Sequence, residues 1–89
     1  SIELLPGYDI QAISVPAAWV GRTLRDLNLQ EQFEVQVVGL LDRSAGNEQP
    51  GVLFDSQLTA GTTLEAEDTI LVYGEEVKLD ALETATTHQ

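Results

Sequence analysis

The stretch Phe33-Glu34-Val35-Gln36-Val37-Val38-Gly39-Leu40-Leu41-Asp42-Arg43 constrains the fold more than any other part of this chain. Phe33, Val35 and Val37 alternate with Glu34 and Gln36, which predicts a strand with one wet face. From Val37 to Leu41 the alternation stops and both faces become apolar. The far half of the strand is therefore either covered on both sides or met by a second chain. Two-sided covering is hard for one small domain to supply, so Val37, Val38, Leu40 and Leu41 are read as a dimer interface.

The segment just upstream reads as a short helix. Thr23 suits an N-cap, its hydroxyl accepting from a free amide two or three residues on. Val20, Leu24 and Leu27 recur at helical spacing and turn one apolar face inward, leaving Arg22, Arg25 and Asp26 in water. Asn28 ends this helix with Leu29 tucked beneath it, and Gln30-Glu31-Gln32 forms a polar turn into the strand.

Around this centre the remaining elements follow from punctuation and patterning. Pro6-Gly7 marks a turn, and Ile10 to Val15 is a β-branched run of strand length stopped by Pro16. Ser44 to Gly51 is a loop by composition, and Val52-Leu53-Phe54 returns as the second arm of a hairpin. Leu58 and Leu64 anchor an irregular segment to the core. Glu65-Ala66-Glu67-Asp68 is an acidic turn feeding the strand Thr69 to Tyr73, which Gly74 breaks. Glu75 to Glu83 is helical, with Leu79 and Leu82 as its apolar stripe and two carboxylates where the helix dipole favours them. The predicted organisation is a linker from an upstream domain over 1–8, one domain over 9–83 and a flexible tail over 84–89. The fold class is α+β, a small mixed or antiparallel sheet with two helices against it.

Composition removes several classes of function. At 89 residues the chain holds one core. No apolar run approaches the roughly 20 residues needed to span a bilayer, so direct membrane insertion is excluded. Fifteen acidic residues against four basic ones give a net charge of -11, which repels phosphate backbones and makes nucleic acid an unsuitable partner. Without cysteine there is no disulfide, thiolate metal site or cysteine nucleophile. There is no paired base and nucleophile, no nucleophile elbow and no phosphate loop, so no enzyme is expected.

With these elements in order, the chain from Tyr8 to about Leu82 resembles the C-terminal domain of regulators of potassium conductance, the TrkA-C domain. The resemblance lies in Ile13-Ser14-Val15-Pro16, in Val20 to Leu29, in Val35 to Arg43 and in Leu64 to Gly74. Two departures stand out: Glu67 occupies the position before the aspartate where the family usually has glycine, and the segment from Arg43 to Asp68 is longer than usual. The resemblance implies a cytoplasmic regulatory and ligand-sensing domain, a homodimer, serving a potassium or other ion transporter or channel at the inner face of the membrane. It also implies that cyclic di-AMP or another nucleotide binds between subunits in some members, while others serve assembly without a ligand.

Individual residues carry that chemistry to different degrees. Arg43 closes the central strand where nucleotide-binding relatives often carry arginine, and a guanidinium holds a phosphate by two parallel bonds. The alternative is a surface arginine paired with Asp42 or a nearby glutamate. Asn47 either reads a nucleobase edge or simply makes its turn. Glu65, Glu67 and Asp68 fit no established calcium loop and read as a solvated turn. Trp19 reads as a core or interface anchor. The lone His88 sits in the tail and forms no metal cluster, so no metal site is expected.

Overall fold

The computed structural model describes residues 2–42, 51–54 and 58–87. Among these residues five strands, β1 (Ile2–Leu5), β2 (Tyr8–Ser14), β3 (Gln36–Asp42), β4 (Gly51–Phe54) and β5 (Thr69–Glu75), form one sheet in the order β1-β2-β5-β3-β4. Every pairing is antiparallel. Also among the described residues are the helices α1 (Leu24–Leu27), α2 (Leu29–Phe33) and α3 (Glu76–Thr87) and a 3-10 turn at Ala17–Trp19. Along β5 buried and half-buried residues alternate, so Ile70, Val72 and Gly74 face the core. Helix α3 packs on β2 and β5, and α2 bridges α3 to β3. The core between sheet and helices gathers Ile13, Trp19, Leu27, Leu29, Val35, Leu40, Leu64, Ile70, Val72, Leu79 and Leu82. Trp19 is thus a core anchor.

The start of α1 follows from its sequence. The Thr23 hydroxyl accepts from the Asp26 amide at 3.2 Å, and the Asp26 carboxylate accepts from the Thr23 amide at 3.3 Å, a capping box closing both ends of the turn. Asn28 ends α1 in the left-handed conformation, φ 46°. The chain then starts a second helix where a polar turn is expected. Leu29 and Phe33, four residues apart, put Leu29 in the core and pack Phe33 against it, so Gln30, Glu31 and Gln32 are simply the wet face of α2. Glu34, also left-handed at φ 57°, reverses the chain, and β3 begins only at Gln36. The apparent strand alternation from Phe33 is therefore half helix.

The doubly apolar run in β3 has a different cause from the one expected. Opposite β5, Val37 pairs with Val72 and Gly39 with Leu71, leaving Val38 as an extra residue in a bulge. The bulge shifts the alternation by one position. Val37 and Leu40 both turn to the core side, while Gly39 and Leu41 fall opposite Leu71 and Thr69 on the other face. Leu40 is 4% exposed and belongs to the core of a single protomer, which removes it from the expected dimer interface; Val37, Val38 and Leu41 remain half-buried. Val52-Leu53-Phe54 does return beside β3, with Leu41 opposite Val52 and Gly39 opposite Phe54.

Three more expectations need correcting. Gly74 does not break β5; it lies inside it opposite Asp9 and is buried. Residues 2–5, read as linker, form β1 against β2, and Tyr8 pairs with Glu75. Thr84 to Thr87, read as tail, continue α3. The acidic turn is also less solvated than its composition suggests. Asp68 is buried, and its Oδ2 accepts from the Glu65 amide at 2.9 Å.

Glu67 has φ 78°, a left-handed conformation that glycine adopts without its Cβ meeting the backbone. This is the position where the sequence resemblance expects glycine. Glu67→Gly removes that strain at some cost in unfolded-chain entropy, and is expected to raise stability by about 0.5–1 kcal/mol. A thermal melt that fails to move upward would show that the turn already accommodates glutamate.

Candidate functional site

Helix α1, the start of α2, the first residues of β3 and the segment 58–60 enclose a cleft of about 290 Å³. Leu24, Leu29, Val35, Val37 and Leu58 form its apolar floor, and Arg25, Asn28, Gln30, Gln36 and Thr59 stand around it. Backbone bonds clip the 58–62 segment onto α1: the Arg25 amide donates to the Ala60 carbonyl at 2.9 Å and the Leu24 amide to the Thr62 carbonyl at 3.1 Å. Thr59 and Thr62 close that segment on itself, the Thr59 amide donating to Thr62 Oγ1 at 3.1 Å. The walls are therefore held by main-chain bonds.

The side chains around the mouth have mixed hydrogen-bonding capacity. Asn28, Gln30 and Gln36 each offer an acceptor oxygen and two N–H donors, and Arg25 offers a donor fork with a fixed positive charge. Asn28 Nδ2 donates to Glu31 at 3.1 Å. Among the described residues Lys78 and Glu34 form an ion pair at 2.6 Å, whereas neither Arg22 nor Arg25 pairs with a carboxylate. That surface pair ties α3 to the end of α2. Its hydrogen bond and attraction hold Glu34 below the usual carboxylate range and Lys78 above the usual amine range.

Val37 is one of the predicted interface residues and also lines this cleft. Val38 sits in the bulge, and Leu41 lies on the sheet face away from the core. That face also carries Tyr8, Ile10, Leu71 and Tyr73, all half-buried, with the Tyr8 and Tyr73 rings stacked at 5.9 Å. Arg43 and Asn47 lie outside the described residues. The residues that do form a cleft, Arg25 and Asn28 with Thr59, come from segments some thirty positions apart. Sequence reading places Arg25 on the wet side of α1 and weighs Arg22 or Arg25, with Arg43, as a positive pocket for an anionic ligand, but no local pattern joins Arg25 to Thr59. Among the described residues no cluster of three or more His, Cys, Asp or Glu side chains is placed to hold a metal. No helix among them is long and apolar enough to cross a membrane.

Among the described residues, a five-stranded antiparallel sheet covered by helices, with a cleft ringed by amides and one arginine, defines a small α+β domain. Residues 10–86 match the TrkA-C domain, and the chain belongs to that family. No curated protein matches it in sequence. Among solved structures it is similar to the C domain of the regulator of conductance of K+ (RCK) from the potassium transport protein KtrA in complex with cyclic diadenosine monophosphate. The TM-score is 0.74 at 15% identity, over 90% of this chain and 85% of that one. It is also similar to the GsuK RCK domain, with a TM-score of 0.75 at 13% identity over 93% of this chain and 17% of that one. For the GsuK channel bound to NAD the TM-score is 0.76 at 13% identity, over 94% of this chain and 14% of the other. The chain thus spans a small part of the GsuK chains and most of the KtrA domain.

Proposed function

We propose that this chain is a non-catalytic regulatory domain of a potassium or other ion transport protein. It works at the cytoplasmic face of the membrane, as a homodimer that senses a nucleotide. The observation that carries this reading is the cleft bounded by Leu24, Arg25, Asn28 and Ala60 in a chain that belongs to the TrkA-C family. The similar KtrA domain in complex with cyclic diadenosine monophosphate and the similar GsuK channel bound to NAD support the choice of ligand class.

The size of the cleft argues for sharing between subunits. At about 290 Å³ it lies at the small end of the roughly 300–1,000 Å³ of ligand pockets, enough for one nucleoside-sized body. A ligand with two such halves, as cyclic di-AMP has, would place one half in each of two copies. The amides would read base or ribose edges and Arg25 would neutralise phosphate. Of the remaining candidates, Arg43 and Asn47, which follow β3 in the sequence, would add phosphate and base contacts. Of the predicted interface residues, Val37 lines this cleft, so two copies sharing a ligand would meet there, whereas Leu41 lies on the opposite sheet face, which carries Glu75 beside Tyr8. Ligand binding between subunits would change their relative angle, and that change would be passed to the transport part.

Calorimetry with cyclic di-AMP and with NAD tests the reading. Saturable heat is expected with one of them, weakened roughly tenfold or more in Arg25→Gln because a charge-assisted phosphate contact is lost. No heat from either, with sedimentation still reporting a dimer, would leave a purely structural dimerisation module.

A further inference from the structure

A second cleft lies on the other side of the α1–α2 wall and has no part in the nucleotide reading. It encloses about 170 Å³ between the 3-10 turn, α1, α2 and the end of α3. Trp19, Leu27, Leu29 and Phe33 line its apolar part, and the exposed Arg22 and Asp26 line its mouth. Trp19, Leu27 and Leu29 are core residues, so this floor is fixed by the fold.

Arg22 is held in place by its backbone. Its amide donates to the Trp19 carbonyl at 3.0 Å, and its carbonyl accepts from the Leu64 amide at 2.8 Å. Its guanidinium makes one long bond, Nη2 donating to the Asp26 main-chain oxygen at 3.4 Å. The nearby Asp26 carboxylate is engaged elsewhere, accepting from the Thr23 amide. In a chain with fifteen acidic residues and four basic ones, an arginine at the mouth of a cleft with an aromatic and aliphatic floor, and with no carboxylate partner among the described residues, retains its capacity for an external anion. The guanidinium fork matches a carboxylate in two parallel bonds.

The volume limits what the anion can be attached to. It slightly exceeds the roughly 150 Å³ of an apolar cavity that takes up benzene, and falls well below the pockets of nucleotide-sized ligands. One ring or one branched aliphatic group fits. We propose that this cleft binds a small carboxylic acid with a single aromatic or branched aliphatic body, the body against Trp19 and Phe33 and the carboxylate on Arg22.

Trp19 is the single tryptophan of the chain, so its emission reports occupancy directly. Titrating phenylacetate into the 89-residue chain at neutral pH should give a saturable change in Trp19 emission, with a dissociation constant on the order of 1 mM or tighter. Phenylacetamide, which keeps the shape and lacks the charge, should bind the same protein roughly tenfold more weakly, as should phenylacetate to Arg22→Gln. A non-saturable response overturns the proposal, as does equal affinity for the acid and its amide. The amide comparison needs no variant and stands even if Arg22→Gln proves unstable. The result is also independent of calorimetry with nucleotides, which concerns the other cleft.

Discussion

Leu64→Ala is expected to cost about 2–5 kcal/mol, toward the upper part of the range for removing a buried leucine. Leu64 is 0% exposed, and its main chain is fixed on both sides: its amide donates to the Arg22 carbonyl and its carbonyl accepts from the Gly21 amide, each at 2.8 Å. Next to it Thr63 bridges to Thr23, the cap of α1. With the backbone held at these points, the site cannot collapse to fill the space the side chain leaves. Because each kcal/mol moves the melting temperature of a domain this small by roughly 4–8 °C, a fall of roughly 10–30 °C is expected in a thermal melt. Urea unfolding should show a lower midpoint with an unchanged slope, the mark of a cavity in an intact native state. A loss below about 1 kcal/mol would mean that the segment repacks and that its main-chain bonds do not hold it.

What the sequence disclosed and what it withheld divide along physical lines. Local chemistry was legible. The Thr23 cap, the Leu24 and Leu27 spacing and the stop at Asn28 define α1 within six residues, and each bond involved spans three or four positions. Leu58 and Leu64 could be named as anchors because isolated leucines in a polar stretch need a core to enter. The hairpin of β3 and β4 followed from turn composition between two apolar runs. Features set by distant partners were not legible. Asn28 both closes α1 and opens α2, a choice that depends on Leu29 reaching the core and Phe33 packing against it. The bulge at Val38 exists only with respect to β5, so an apolar run made by a phase shift reads in one dimension as a strand covered on both faces. The first cleft depends on bonds from α1 to residues 60 and 62, which no local spacing encodes. Arg43 was singled out by its place at a strand end and by resemblance, whereas Arg25, assigned to solvent by its helical phase, is the arginine that lines the cleft.

Gly74 shows the same limit and provides the second large effect. In sequence a glycine after an apolar strand reads as a stop, yet here it sits within β5 with no positive φ to require it. Its role is space. A Cβ at this position would lie 2.9 Å from Val35 Cγ1, 3.4 Å from Val35 Cβ and 3.5 Å from Val35 Cα. Both residues are buried, and the β-branched Val35 has little rotamer freedom with which to move aside. Gly74→Ala is therefore expected to destabilise by about 1–3 kcal/mol through overpacking, even though alanine makes the unfolded chain less flexible and by itself would stabilise. The diagnostic measurement is a double-mutant cycle with Val35→Ala. Trimming Val35 costs stability alone but makes room for the new methyl, so the double variant should be more stable than the two single losses predict, by at least about 0.5 kcal/mol. Additive losses would show that the glycine is not there for Val35. Because Val35 also lines the first cleft, Gly74→Ala presses on that wall from behind. Its effect on nucleotide heat, measured beside its effect on stability, would show how closely the binding surface depends on this contact in the centre of the sheet.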